Sequence, residues 1–396
     1  MDFRFTEKEE ALKQEVAEFA RKELPPDFLS LGVFDEVSHD WDFTMSIAKK
    51  LGEKGWLTRH WPKEYGGLEA SPIENMVFRD ETAYWGIPGL FMGIGSTHWV
   101  GPLLIRHGTE EQRKKYLPPI SAGEPEGVWC TAYSEPDAGT DLASLKTRAV
   151  KVGEEYIVNG NKIWQTAGHR ARWCWLLCRT NPDLPQHKGM SLLIVDMRSP
   201  GLTVRPVIDM SGYHSLNELF FDDVHVPVAN LVGEENRGWY YVMEALNLER
   251  GTTYASGMHK RVLDELVKYA KETTYNGEPL SKDPIIRHKL AEIAVAIEAC
   301  RMLQYKIAWM ESVGQMPVSE ASMVKTLASD IHIRHAAMEM EILGHYSMLR
   351  PGSKWTKLHG ILIGRYLHSF VGPFGGGCNE IQRNIIAWMD LGLPKQ

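Results

Sequence analysis

Two short stretches carry side chains suited to hold a flat ligand that bears phosphate groups. The first, residues 127–144, reads G-V-W-C-T-A-Y-S-E-P-D-A-G-T-D-L-A-S, a strand-like run that breaks at a turn over residues 135–139. After this turn, Thr140 and Asp141 place a hydroxyl and a carboxylate beside backbone N–H groups that the turn sets free. Such an arrangement is a usual way to hold a phosphate-bearing ligand.

The second stretch, residues 159–166, reads N-G-N-K-I-W-Q-T and ends with an aromatic ring and a hydroxyl. If a strand runs through it, Trp164 and Thr166 share one face, because side chains alternate along a strand. A heterocycle could then stack on the ring and hydrogen-bond to the hydroxyl. Taken alone, each stretch is equally well an ordinary turn or a strand with a packed tryptophan.

Together the two stretches resemble the acyl-CoA dehydrogenase family, whose signature contains S/T-E-P-x-A-G-[ST]-D followed by a K-x-W-x-[ST] strand. The segments at 61–68, W-P-K-E-Y-G-G-L, and at 374–383, F-G-G-G-C-N-E-I-Q-R, resemble further landmarks of that family. The resemblance implies FAD as the cofactor, with both stretches lining its flavin. The positions it assigns to FAD are Thr131, Tyr133, Ser134, Gly139, Thr140, Trp164, Thr166, Cys378 and Glu380.

The reaction implied is the α,β-dehydrogenation of an acyl-CoA thioester, in which a carboxylate removes the α-proton. Much of the family carries this base as the glutamate of Y-E-G-T, but here the aligned residue is Gly376, which cannot abstract a proton. Isovaleryl- and long-chain-type members instead carry it in L-D-L-E-R, which this chain matches with L-N-L-E-R at 246–250. The resemblance therefore assigns the base to Glu249.

The helical pattern agrees with this assignment, because Val242, Leu246 and Glu249 fall at i, i+4 and i+7 and share the apolar stripe of one helix. A desolvated carboxylate has a raised pKa and is a stronger base. The alternative is a buried glutamate paired with Arg250 for structure. The same resemblance implies substrate contacts from Thr140, Asn247, Arg250 and Gly377.

The family pattern is altered where a neighbouring subunit of the usual tetramer would hold the FAD diphosphate. Thr273 stands in place of an arginine, Pro284 in place of a glutamine, and L-G-H-Y-S at 343–347 in place of a G-G-x-G loop. Arg287 is a substitute phosphate partner or simply a surface arginine. The resemblance implies a homotetramer that passes electrons to electron-transfer flavoprotein. Two alternatives to this assembly and acceptor stay open. One is a FAD-poor partner subunit of a mixed tetramer, and the other is a flavin oxidase or oxygenase on the same scaffold.

The elements that must position these residues change along the chain. Helical spacing dominates residues 1–120, where Thr6 and Thr109 are helix caps, Gln112 completes a capping box and prolines close the second helix. Alternation of period two and frequent turns predict a β-domain over residues 121–235. Long apolar stripes return over residues 236–396 and predict a helical bundle. With the resemblance, this is an α+β multidomain fold: an N-terminal helical domain, a middle β-barrel or β-sandwich domain and a C-terminal four-helix bundle.

Bulk properties exclude other classes of function. The 396 residues carry a net charge of −7, which gives no reason to expect nucleic-acid binding, since that usually shows a basic stripe. No apolar run approaches the roughly 18 residues of a membrane span. The five cysteines form no C-x-x-C pair, and with no signal-peptide pattern at the N-terminus they favour a reducing cytoplasm. His332, His335 and Glu339 could suggest a metal site, but a solvated helix face is the favoured interpretation.

The aromatic stretch from Tyr84 to Trp99 has two interpretations: it lines the acyl pocket, or it belongs to the packed core. The core interpretation is the favoured one.

Overall fold

The computed structural model describes residues 4–26, 28, 40–93, 95–250 and 255–395, except for the side chains of residues 247–250. The helices of this part of the chain are α1 (Glu7–Glu23), α2 (Trp41–Glu53), α3 (Pro72–Trp85), α4 (Gly101–His107), α5 (Glu110–Ala122), α6 (Gly238–Arg250), α7 (Ser256–Glu272), α8 (Pro284–Ser312), α9 (Val318–Leu343), α10 (Ile361–Ser369) and α11 (Asn379–Met389). The strands are β1 (Trp129–Ala132), β2 (Arg148–Val152), β3 (Glu155–Ile163), β4 (Trp173–Arg179), β5 (Met190–Asp196), β6 (Leu202–Val207), β7 (Leu216–Pro227), β8 (Thr274–Tyr275) and β9 (Glu278–Pro279).

The chain folds into two compact units. One, the helical unit, contains α1, α3 and α7–α11 with the small β8–β9 hairpin. The other, the sheet unit, contains α2, α4, α5, β1–β7 and all but the last residue of α6. The three predicted domains, 1–120, 121–235 and 236–396, have other boundaries than these two units, and they stay a prediction.

Side-chain caps begin two helices where the sequence places them. Thr6 accepts from Glu9 N at 3.4 Å, and the Glu9 carboxylate accepts from Thr6 N at 2.7 Å. The predicted capping box of Thr109 and Gln112 is confirmed, with distances of 3.2 and 3.1 Å. The prediction that prolines end α5 is wrong: the helix passes through Pro118 and Pro119 and ends at the left-handed Gly123. The buried Leu117 and Ile120 hold the helix against the core, and this packing offsets the hydrogen bonds that the prolines lack.

The predicted β-region forms one seven-stranded sheet in the order β1-β4-β2-β3-β7-β6, with β5 paired to β4. Strand β4 is buried on both faces. Its Trp175 and Leu177 pack with α4, α5 and α6, whereas Cys174 and Leu176 pack with the other strands. The strand therefore reads as a continuous apolar run rather than an alternating one.

The helical unit is built around α9, which packs against α8, α10 and α11. The apolar stripes predicted over residues 236–396 are confirmed on α8, where Ile293, Ile297 and Cys300 recur at helical spacing and are buried. All five cysteines are free thiols, as the sequence suggested. Within the described residues, no helix is both long and apolar enough to cross a membrane.

Candidate functional site

A buried ion pair fixes the turn that follows β1. The Glu135 carboxylate accepts from the backbone N–H groups of Lys146 at 2.7 Å and Thr147 at 2.8 Å. Lys162 Nζ lies 3.0 Å from the same carboxylate and donates to Tyr133 O at 2.8 Å. The turn itself closes through reciprocal backbone bonds between Glu135 and Ala138, which confirms the predicted break. Residues 133–135 are thereby tied to β3.

Charge and hydrogen bonding decide the ionisation of this pair. Burial raises the pKa of Glu135, but the Lys162 ammonium and the Lys146 and Thr147 N–H groups outweigh it and hold the pKa of Glu135 below its ordinary value. The carboxylate therefore stays ionised at neutral pH. Glu135 and Lys162 lie inside the two sequence stretches that resemble the family signature, but sequence reasoning gave them no role. Only the fold places Lys162 of β3 next to the turn.

The two stretches that the sequence singled out lie side by side. Ile163 N, the last residue of β3, donates to Ser134 O at 3.0 Å. Thr131 in β1 and the neighbouring Tyr133 are half-buried. Ser134 and the segment at 164–166 are thus adjacent, although 30 positions separate them in the sequence.

The prediction that Trp164 and Thr166 lie on one face of a strand is wrong. Strand β3 ends at Ile163, and Trp164 has a left-handed φ of +73°. The Trp164 side chain is 56% exposed, whereas Thr166 is 6% exposed. Ala167 also has a left-handed φ, of +59°. Each such residue costs about 1–2 kcal/mol, so the segment is a strained turn.

Strand β7 and the residue before it hold this strained turn by backbone hydrogen bonds. Gln165 N donates to Asn217 O at 3.0 Å, and Ala167 N donates to Ser215 O at 2.9 Å. The Asn217 side chain also contacts the turn, with Nδ2 donating to Gln165 O at 3.0 Å. Sequence reasoning gave Asn217 no role in the site, because it lies about 50 residues from the turn and only the fold brings the two together.

Trp99 belongs to the core beneath this surface. Its side chain is buried and stacks on Tyr133 with ring centroids 6.5 Å apart. Gly95, at a φ of +86°, permits this packing, because a Cβ there would lie 2.6 Å from the Trp99 ring. For Trp99, the core interpretation of the aromatic stretch is confirmed.

Gly139 and Thr140 lie on the surface just beyond the turn. Both are exposed, and a Cβ at Gly139 would meet no atom within 4 Å. Internal packing therefore does not require glycine at this position, which leaves room for a ligand to approach the backbone.

The C-terminal candidates are in the helical unit. Gly376 and Gly377 have left-handed φ values of +67° and +93°. Cys378 is the N-cap residue of α11 and Glu380 lies in the first turn of that helix. Hydrogen bonds from its own backbone N–H and from Cys378 lower the pKa of the exposed Glu380 carboxyl. A negative charge at a helix N-terminus is itself favourable, so this carboxylate has a structural role of its own.

The proposed base lies at the edge of the described region. Helix α6 runs as expected through Gly238–Arg250, and Val242 is fully buried. The side chains of Asn247, Glu249 and Arg250 lie outside the described residues. Arg287 is exposed in the first turn of α8 and donates to Ser281 O at 3.3 Å.

The favoured interpretation of His332 and His335 as a solvated helix face is wrong. His335 and Glu339 are buried, and Arg365 of α10 donates to both Glu339 oxygens at 3.0 and 3.1 Å. Burial, followed by the charge of Arg365, lowers the pKa of His332 to about 3 and that of His335 to about 4. The prediction failed because α9 is covered by three other helices. Among the described residues, no group of His, Cys, Asp and Glu side chains has a metal-binding arrangement.

Comparisons with known proteins cover the whole chain. Profiles described as the N-terminal, middle and C-terminal domains of acyl-CoA dehydrogenase match residues 6–124, 130–224 and 236–389. The acyl-CoA dehydrogenase FadE29 of Mycobacterium tuberculosis is 37% identical over 353 residues, 88% of either chain. These matches confirm the family resemblance.

Solved structures agree with the sequence comparisons. One described as the Tcur3481-Tcur3483 steroid ACAD superposes with a TM-score of 0.91 at 35% identity over 100% of both chains. The ChsE4-ChsE5 complex from Mycobacterium tuberculosis gives a TM-score of 0.89 at 33% identity, also over 100% of both chains. The predicted fold class is confirmed.

Proposed function

Because this chain belongs to the acyl-CoA dehydrogenase family, we propose that it oxidises an acyl-CoA thioester to the 2-enoyl-CoA, with Glu249 as the base. The general dehydrogenase activity follows from family membership. The observation that carries the detailed proposal is the adjacency of Ser134 and the exposed Trp164, joined by the 3.0 Å bond between Ile163 N and Ser134 O.

The residues present fit FAD, the cofactor of the family. An indole that is 56% exposed on a strained turn packs poorly within its own chain and offers a face to a flat ring. When bound, FAD supplies the acceptor for the hydride that leaves the β-carbon. The residues proposed to hold it are Thr131, Tyr133, Ser134, Gly139, Thr140, Trp164, Thr166, Cys378 and Glu380.

The chain's own part in the chemistry is to move the α-proton and to orient the thioester. We assign the removal of this proton to the Glu249 carboxylate, because the sequence places Glu249 on one helical stripe with Val242 and Leu246, a pattern that predicts desolvation and hence basicity. Substrate contacts are assigned to Thr140, Asn247, Arg250 and Gly377. Hydrogen bonds to the thioester carbonyl are required in any such site, because they stabilise the charge that develops when the α-proton leaves.

A ring-bearing acyl group is the proposed substrate class. Support comes from the similarity to the structure described as a steroid ACAD. The aligned Gly376 leaves the position of the usual base glutamate without a side chain, which suits long, branched and ring-bearing acyl groups alike. Electron-transfer flavoprotein is the proposed electron acceptor.

A mixed assembly of two different chains is the second candidate. The two structures reported above are each described by two component names, Tcur3481-Tcur3483 and ChsE4-ChsE5. The replacements Thr273 and Pro284 at diphosphate-binding positions also favour a mixed assembly. In such an assembly this chain would hold FAD well only beside its partner. Otherwise a homotetramer is expected.

Anaerobic titration with straight, branched and ring-bearing acyl-CoAs tests the reaction and its base. The flavin absorbance at about 450 nm should bleach in the wild type and persist in Glu249→Gln. Glu244→Gln is the matched control on the same helix, because Glu244 bonds to His107 at 2.8 Å and to Arg106. This control should bleach. Bleaching of Glu249→Gln would remove Glu249 as the base, and a fully flavinated wild type that no acyl-CoA bleaches would overturn the dehydrogenase proposal.

Two further results would redirect the assignment. A colourless protein that gains flavin only with a second chain would support the mixed assembly. Rapid turnover in air without an added acceptor would support an oxidase.

A further inference from the structure

Asn217 makes the side-chain contact that joins strand β7 to the strained turn at 164–167. Its side chain is fully buried, and Nδ2 donates to Gln165 O at 3.0 Å. Gln165 Nε2 donates to Ile163 O, two residues back, so the Gln165 side chain closes the turn onto itself and not onto β7.

The contacts of Asn217 fix the orientation of its amide. The carbonyl oxygen of Gln165 can only accept, so the NH₂ group of Asn217 must face it. The second N–H then donates to His169 Nδ1 at 3.2 Å, and Asn217 Oδ1 accepts from His214 Nε2 at 3.0 Å. These bonds assign His169 as the tautomer with an unprotonated Nδ1 and His214 as the ring with a protonated Nε2.

The two imidazoles enclose the amide in a compact polar group. The rings of His169 and His214 stack with centroids 3.9 Å apart and an interplanar angle of 19°. His169 follows the turn in the chain, and His214 precedes β7. Both donors and the acceptor of Asn217 are therefore used to join these segments.

We propose that Asn217 is a positioning residue for the bound flavin, acting through Trp164 and Thr166. This inference rests on the proposed function. The left-handed conformations of Trp164 and Ala167 are intrinsically unfavourable and persist only where their surroundings impose them. Without the Asn217 amide, the turn populates other conformations, and apparent FAD affinity falls with the fraction of molecules in the binding conformation.

A cleft behind the turn makes the test practical. Asn217, His169 and His214 line a surface cavity of about 410 Å³, together with Arg170 and Arg198. Once the Asn217 side chain is shortened, water from this cleft can hydrogen-bond to the polar groups that lose their partner. Asn217→Ala should therefore fold, with its defect confined to the turn.

The experiment compares Asn217→Ala with Asn159→Ala. Asn159 is a matched control, because it also joins β3 to β7, bonding Asp223 Oδ1 at 2.8 Å and Asp223 N at 3.0 Å away from the turn. In deflavinated protein, amide hydrogen exchange of residues 165–167 should accelerate in Asn217→Ala only. FAD dissociation constants should rise tenfold or more in Asn217→Ala, and the visible circular dichroism of its bound flavin should change. Asn217→Asp, which keeps volume and the acceptor but loses both donors, should share these defects.

These measurements distinguish the positioning role of Asn217 from the proposed function of the protein. Unchanged amide hydrogen exchange in Asn217→Ala would show that Asn217 does not hold the turn at 164–167. Faster exchange with unchanged flavin affinity and dichroism would overturn the positioning role of Asn217. Equal weakening in Asn159→Ala would also overturn that role, because it would show a general effect of the strand pair. A wild type that binds no FAD under any condition would refute the proposed function and the positioning role together. A wild type that binds FAD but oxidises no acyl-CoA would refute the proposed reaction alone and leave the flavin-binding test of Asn217 decisive.

Discussion

The Glu135–Lys162 pair is a buried charged contact of the sheet unit. Removing two charges from water is costly, and the attraction between them offsets this cost only when the remaining donors and acceptors are also satisfied. Here Glu135 accepts two backbone N–H bonds, and Lys162 donates to Tyr133 O. The pair therefore fixes the Tyr133–Ser134 backbone against β3 more than it adds net stability.

Glu135→Gln should destabilise the protein by about 3–5 kcal/mol, because it leaves the Lys162 ammonium buried without a counter-charge. The double variant Glu135→Gln/Lys162→Met should recover most of this loss, since no unpaired charge remains. Urea unfolding of the wild type, both single variants and the double variant measures the coupling. A double variant as unstable as the sum of the two single variants would show that the charges do not interact.

At the scale of elements, a glycine in β3 sets the register that brings Lys162 to the turn. The pairing of β3 with β7 shifts between Val158 and Gly160, which marks a β-bulge. Gly160 has a φ of +150°, and a Cβ there would lie 2.4 Å from Thr147 Oγ1. The residues beyond the bulge, Asn161–Ile163, then face β7 in a new register.

Gly160→Ala should lower the unfolding free energy by about 1–3 kcal/mol, because the added methyl group overlaps Thr147 and disfavours the backbone of the bulge. It should also weaken flavin binding, since Ile163 and Ser134 would shift together. Gly139→Ala is the control for stability, because open space surrounds that position. Equal unfolding midpoints for the two variants would contradict the packing argument.

For the whole molecule, the histidines packed between helices of the helical unit make folding sensitive to mild acid. The pKa of His332 is lowered to about 3 and that of His335 to about 4, whereas an unfolded histidine titrates near pH 6.5. Below pH 6.5 the unfolded chain binds protons that the folded chain does not. Stability is therefore full above pH 6.5 and falls as the pH drops towards 4.

Between pH 7 and pH 5, each of these two histidines should remove about 2 kcal/mol of stability, from about 1.4 kcal/mol per pKa unit. Glu135 adds little in this window, because its stabilising ionisation is lost only below its ordinary pKa. The measurement is the thermal-unfolding midpoint at both pH values for wild type and for His332→Gln and His335→Gln. Variants with the same pH dependence as the wild type would refute this account.

Local chemistry made much of the fold predictable from the sequence alone. The caps at Thr6 and Thr109 and the turn at 135–138 depend on bonds between residues at most three positions apart. The apolar stripe of α8 depends only on helical periodicity. The family motifs likewise located the Ser134 and Trp164 segments, because these patterns are contiguous.

Only the tertiary structure decided where distant residues meet. The end of β3 at Ile163, the hydrogen bond from Asn217 to the turn at 164–167 and the burial of His335 depend on contacts between segments many residues apart. A sequence pattern records a residue's type and its neighbours along the chain, but not which strand or helix will cover it. Side chains such as Lys162, polar by type and buried in fact, therefore acquire their role from packing.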